Sequence, residues 1–169
     1  RRGIQTRQIG RRKEKAIHTV ELLMSAATLL APASELLSIL LDWSALPANA
    51  RFTGFLLGLL GDGIFLLSVL TMRDSWRAGI PERDGTELVT GGLYAFSRNP
   101  AFLGFDLMYL GVFLLFANWL SGLCSAFAVL TLHLQILQEE RYLEGVFGEP
   151  YRAYRTRVFR YLGRRRRGV

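Results

Sequence analysis

What most constrains this chain is where its charge lies relative to its apolar runs. Four stretches, His18 to Leu41, Phe52 to Met72, Ala101 to Ala117 and Trp119 to Leu137, are almost wholly apolar and contain no Lys or Arg. The 21 Lys and Arg residues lie outside them, all but Arg51 within three segments: Arg1 to Lys15, Arg73 to Arg98, and the stretch after Leu137. A helix needs roughly 20 apolar residues to cross the hydrocarbon core of a bilayer, so the pattern predicts spans with basic ends. By the positive-inside rule all three basic segments face the cytoplasm, which requires an even number of spans. The predicted fold is therefore an all-α polytopic membrane bundle of four apolar spans followed by a C-terminal interfacial helical segment.

Four parts follow: a basic cytoplasmic tail or loop (1–17), two N-terminal spans (18–72), a core (73–162) and a basic tail (163–169). Pro32 should kink the first span, and neighbours must then satisfy the freed carbonyl. Asn118 alone separates the third and fourth spans, so they form a tight antiparallel hairpin, and their shortness calls for tilt or local thinning. The N-terminus, the loop before the third span and the C-terminus share the cytoplasmic face. A net charge of +7 beside 50% hydrophobic residues points to anionic lipid as the partner of the basic ends. A nucleic-acid binder would spread its charge along polar elements, so no nucleic-acid partner is expected. The chain opens on Arg1-Arg2 rather than Met, and the N-terminal segment lacks the apolar core of a signal peptide. An upstream segment is expected.

Several features read as packing. Cys124 is the only cysteine, which excludes an intrachain disulfide and a Cys-cluster metal site; no second His, Cys or acid stands at metal-ligand spacing from His133, so no metal is expected. Gly58-Leu59-Leu60-Gly61-Asp62-Gly63 has neither the dinucleotide nor the P-loop spacing, and Gly54 with Gly58 forms a small face for close helix packing. Acids in apolar runs are costly and so suspect. Glu21 and Glu35 are placed near span ends within reach of water or a basic neighbour, Asp62 is placed as a packing polar group, and Asp106 close to a site after Pro100. His133 is read as an interhelical hydrogen bonder that shares a face with Glu140.

Two segments carry the chemistry. The first is Leu88 to Gly104, a glycine- and proline-punctuated loop with Tyr94, Arg98 and Asn99 between apolar runs. The second begins at Glu139-Glu140, adjacent carboxylates that repel one another and call for a nearby cation; a flanking arginine such as Arg141 or a ligand's ammonium group would serve. Beyond it Gly148 suits a helix end and Pro150 the first turn of the next. Tyr151, Tyr154, Phe159 and Tyr161 then alternate with Arg152, Arg155, Arg157 and Arg160, the composition of an interfacial helix.

Together these segments resemble the isoprenylcysteine carboxyl methyltransferase and phospholipid methyltransferase family of integral membrane enzymes. That family carries a Gly-x-Tyr turn and Arg-His-Pro-x-Tyr-x-Gly, here Gly92-Leu93-Tyr94 and Arg98-Asn99-Pro100-Ala101-Phe102-Leu103-Gly104. It also carries Glu-Glu-x-x-Leu, Phe-Gly, Tyr, Tyr and Val-x-Arg, here Glu139-Glu140-Arg141-Tyr142-Leu143, Phe147-Gly148, Tyr151, Tyr154 and Val158-Phe159-Arg160. The resemblance covers Leu88 to Arg160, with weaker similarity around Trp76. The family's His is Asn99 here and its Tyr is Phe102. Asn can donate and accept a hydrogen bond but cannot carry a proton at neutral pH.

The resemblance implies S-adenosylmethionine as cofactor, outside the usual soluble fold. Glu139 or Glu140 would take its ammonium group, and Arg98 with Asn99 its carboxylate. Backbone from Leu88 and Val89 through Gly91 and Gly92 to Pro100, with the ring of Tyr94, would line the adenine slot. Arg160, Glu140 and Tyr154 are the expected catalytic residues, and Arg157, Arg160 and Asp106 the expected substrate contacts. The implied reaction is carboxyl O-methylation of an isoprenylated cysteine or similar lipophilic acid. The alternatives are N-methylation of a phosphatidylethanolamine-type amine, with Glu140 or Asp106 as base, then a sterol-reductase-like oxidoreductase or a non-catalytic scaffold.

Overall fold

A computed structural model describes residues 15–73 and 87–165. The tail up to residue 14, the surroundings of Trp76 and the arginines from 166 onward lie outside the described residues. The elements are α1 (Lys15–Leu40), α2 (Ala48–Met72), a 3-10 turn (Gly92–Ala95), α3 (Pro100–Leu115), α4 (Trp119–Phe147) and α5 (Glu149–Arg157). Beyond the helices, an isolated antiparallel bridge joins Val158 to Arg164.

Ile17–Leu40, Ala48–Met72 and Trp119–Phe147 are long and apolar enough to cross a membrane, and Pro100–Leu115 is a shorter apolar helix. Large apolar side chains point outward along them, among them Leu29 and Leu40 on α1 and Phe52, Leu59 and Leu66 on α2. Such a surface is unstable in water and suits hydrocarbon; the molecule is a polytopic helical membrane bundle.

The helices pair by different chemistry. α2 lies along α3 through glycines seven residues apart on each helix. A Cβ on Gly61 would come 2.5 Å from the Gly104 carbonyl oxygen, and one on Gly54 2.5 Å from that of Gly111. Gly58 leaves open space for its own Cβ, but a Cβ on Gly111 would lie 2.5 Å from the Gly58 nitrogen. The small face is thus Gly54, Gly61, Gly104 and Gly111, with the Gly58 backbone opposite Gly111. Without side chains between them the two backbones approach closely, which is how spanning helices gain dispersion energy.

α1 and α4 run antiparallel, and their register is pinned at the C-terminal end of α1. Asn118 caps α4 by accepting from the Ser121 backbone, while its Nδ2 donates to Ser38 Oγ at 2.8 Å and to the Trp43 carbonyl at 3.1 Å. Ala27 and Ala31 then pack on Ala128 and Leu132. α3 and α4 follow one another through Asn118 as expected, but the larger contact of α3 is with α2 and that of α4 with α1.

The apolar stretch that ends at Leu137 is continued as helix to Phe147, up to the end read at Gly148, so Glu139 and Glu140 lie within α4. Two expectations change. Glu21 is wholly buried on α1 and not open to water. Asp62 is exposed on the outer face of α2, since the packed face is taken by Gly61.

Candidate active site

The site is built where the loop before α3 meets the end of α4 and the segment after α5. Gly148, at φ 55°, takes a left-handed conformation that a side chain would strain, and it turns the chain from α4 into α5. Tyr151 and Tyr154 of α5 are buried with Val158, against Leu88, Leu143 and Phe147. The Tyr154 hydroxyl donates to the Tyr94 carbonyl at 2.6 Å and to the Ser97 carbonyl at 3.3 Å. Tyr154 therefore anchors the loop's backbone.

The segment after α5 completes the anchoring. The Arg98 backbone donates to the Phe159 carbonyl at 3.0 Å and Gly163 to that of Phe96 at 2.8 Å. Asn99, at the N-terminus of α3, turns its side chain elsewhere: Nδ2 donates to Glu140 Oε1 at 3.1 Å and to the Arg160 carbonyl at 3.2 Å. Pro100 fits the first turn of α3, where no amide donor is needed.

Glu140 is the hub. Arg98 Nη2 meets its Oε1 at 3.1 Å, with both side chains buried. Arg160 forks onto it from the other side, Nη2 to Oε2 at 2.9 Å and Nε to both oxygens at 3.2 Å. The hydrogen bond to Glu140 raises the pKa of Arg160, against the opposing effect of desolvation. The cations that meet this acid are thus Arg98 and Arg160. One carboxylate faces two guanidinium groups, leaving net positive charge at the site.

The donors there are incompletely used. Nε and Nη1 of Arg98 are buried with no hydrogen-bond partner among the described residues, and so is the Tyr151 hydroxyl. Burial pushes the Tyr151 phenol up to about 12, helped by Glu140 and opposed by Arg98, Arg155 and Arg160. It stays a donor at neutral pH. Buried polar groups in native proteins are nearly always satisfied, so three orphaned donors beside excess positive charge fit an anionic group. Beside them an open cleft of about 510 Å³ is lined by Arg98, Arg155, Val158, Arg160 and Arg165, among others.

Adjacent residues on a helix point about 100° apart, and the carboxylate pair is split accordingly. Glu139 does not share the arginine hub; its Oε1 accepts from Gln135 Nε2 at 3.2 Å. Its charge is felt by Tyr94, whose phenol is raised first by burial and then by Glu139 and Tyr154. Donors thus gather around Glu140, and acceptors around Glu139.

Other expected residues fall further out. Leu88 and Val89 are half-buried and Gly91 and Gly92 exposed, with the left-handed Gly92 lying against Thr71. Arg157 is exposed, its Nε donating to the Ala153 carbonyl at 3.1 Å, and is not brought to the hub. Asp106 is half-buried on α3 with Oδ1 unpartnered among the described residues. It is in electrostatic reach of Tyr161, whose hydroxyl meets His133 Nδ1 at 2.6 Å. Among the described residues no group of His, Cys and acids is placed to hold a metal. Sequence reasoning did not single out Tyr151 and Gln135 as site residues. Tyr151 stood in a motif without a role, while Gln135, one turn before Glu139, was legible from helical spacing.

Residues 50–150 match the family described as phospholipid methyltransferase. A stretch of 72 residues, 42% of the chain, is 39% identical to the protein-S-isoprenylcysteine O-methyltransferase of Schizosaccharomyces pombe. The match spans 30% of that enzyme's length.

Proposed function

The chain belongs to the phospholipid methyltransferase family, and we propose that it is an integral membrane enzyme that methylates the carboxylate of an isoprenylated cysteine or similar lipophilic acid with S-adenosylmethionine. The observation that carries this reading is Arg98, buried against Glu140 with two N–H donors unpartnered among the described residues. The cofactor is a zwitterion with an added sulfonium charge, and the residues fit it in kind. Arg98 and the Tyr151 hydroxyl offer donors to its carboxylate, and Glu139 offers an acceptor to its ammonium group. Tyr94 and the loop backbone from Leu88 to Gly92 stand beside them for the adenosyl portion.

When bound, S-adenosylmethionine supplies an electrophilic methyl group whose transfer breaks the S–C bond, forms an O–C bond and returns the electron pair to sulfur. The chain's contribution is positioning, which alone removes much of the barrier of a bimolecular displacement. Arg160 is the better candidate for the acceptor. Its side chain is 35% exposed against 8% for Arg98, and it opens onto the basic cleft. A carboxylate acceptor is ionised at neutral pH and needs no base. Glu140 fixes both guanidinium groups. The acceptor's apolar tail would enter between helices from the bilayer. The positive-inside rule puts this site on the cytoplasmic face, with both ends of the chain on the same side.

One observation favours a second reading, N-methylation of a phospholipid amine. An amine must lose a proton before attack, and Asp106, Tyr161 and His133 form a polar group able to accept one. The two readings separate in one experiment. Membranes containing the chain are incubated with methyl-labelled S-adenosylmethionine and either a farnesylated cysteine or phosphatidylethanolamine, then treated with mild base. Label on the farnesylated cysteine that is lost in base supports the ester; base-stable label on the phospholipid supports the amine. No labelled product together with no cofactor binding would sink both.

A further inference from the structure

Glu21 lies on α1, outside the residues that match the family, yet it is wholly buried. The register of α1 on α4 says what it faces. Ser38 meets Asn118, Ala27 and Ala31 pack on Ala128 and Leu132, and the same antiparallel spacing brings Glu21 to the turn that carries Gln135 and Glu139. The Glu21 carboxylate is in electrostatic reach of Glu139. Gln135 is 1% exposed; its Nε2 is given to Glu139, and its Oε1 has no hydrogen-bond partner among the described residues. Two carboxylates and an amide oxygen therefore converge between α1 and α4. The Gln135 oxygen is an orphaned acceptor of the group among the described residues, and a buried acceptor is costly unless a donor meets it.

We infer that Glu21 and Gln135 complete, with Glu139, the subsite for the ammonium group of the cofactor. This rests on the methyltransferase reading above and adds α1 to the binding machinery. A primary ammonium has three N–H donors, and Glu21, Gln135 Oε1 and Glu139 supply three acceptors from two helices. The site then divides the cofactor's amino-acid end by charge. Its carboxylate goes to the orphaned donors of Arg98 and Tyr151, its ammonium to the acceptor cluster one helix face away.

The test is equilibrium binding to the full chain in lipid nanodiscs of three probes: S-adenosylmethionine, S-adenosylhomocysteine and 5′-methylthioadenosine, which lacks the amino-acid end. Glu21→Gln and Gln135→Leu should each weaken the first two by about tenfold or more, the scale of a hydrogen bond to a charged group. Both should bind 5′-methylthioadenosine as the wild type does, which also reports that the variant is folded. If one variant fails to fold, the other carries the same expectation. Equal weakening of all three probes would mean a structural role and overturn the inference, as would wild-type affinity for S-adenosylmethionine in both variants. Loss confined to S-adenosylmethionine would place the acceptors at the sulfonium instead and overturn the ammonium assignment. A wild-type chain that binds none of the probes would refute the methyltransferase reading itself.

Discussion

Glu140 on α4 and Arg98 in the loop before α3 meet at 3.1 Å with both side chains more than nine-tenths buried. They lie 42 positions apart in the chain, and their pairing decides how the loop sits on the helical bundle. Removing one partner of a buried ion pair leaves an uncompensated charge, at a cost of about 3–5 kcal/mol. Glu140→Gln should therefore markedly lower the thermal midpoint in detergent micelles. Arg160→Ala, whose side chain is 35% exposed, should cost about 1 kcal/mol or less. Equal shifts for the two variants would contradict the hub.

Tyr154 anchors the loop through its hydroxyl, which donates to the Tyr94 and Ser97 carbonyls. Tyr154→Phe keeps the ring and removes the anchor, a loss of about 1 kcal/mol. It should raise KM for the cofactor several-fold and leave kcat at saturation near the wild-type value. A fall in kcat with KM unchanged would instead make the hydroxyl part of the chemistry.

The α2–α3 seam makes a contrast within one helix pair. Gly111→Ala places a Cβ 2.5 Å from the Gly58 nitrogen, and overpacking of this kind costs about 1–3 kcal/mol. Gly58→Ala meets nothing within 4 Å and gains about 0.5–1 kcal/mol of helix propensity. Thermal unfolding of the two variants should move in opposite directions.

The pH dependence separates the acceptors. Arg160 is held protonated by Glu140, and a carboxylate is ionised well below neutral pH. Carboxyl methylation should therefore proceed at an almost constant rate between roughly pH 6 and 9. Amine methylation should climb through that window as the ammonium loses its proton. A steep rise in kcat/KM would move the assignment to the amine and to the group at Asp106, Tyr161 and His133.

The four helices were legible because apolar runs with basic ends have few alternatives in a bilayer. The end of α4 was marked by Gly148 and not by hydropathy, since Gln138 to Phe147 are largely polar yet helical. Glu21 was misplaced for a related reason. A carboxylate near a span end reads as solvated, and its burial follows only from the register set by Asn118 and Ser38 at the far end of the same pair. The candidate site's members were found, but not the division of labour. Glu139 and Glu140 are indistinguishable as a dipeptide, and only the helical turn between them sends one to the arginines and the other to Gln135. Asn99 had a legible departure from the motif and an illegible consequence, since its cross-link to Glu140 and the Arg160 carbonyl depends on residues 41 and 61 positions later.

The central claim is that this site binds the sulfonium cofactor through Arg98. Its most direct test is saturation binding of labelled S-adenosylmethionine to the full chain in lipid nanodiscs, compared with Arg98→Lys. The account predicts one saturable site, competed by S-adenosylhomocysteine. Affinity should fall about tenfold or more when the forked donors are replaced by a single ammonium. No saturable binding to the folded wild-type chain, or equal affinity in Arg98→Lys, would contradict it.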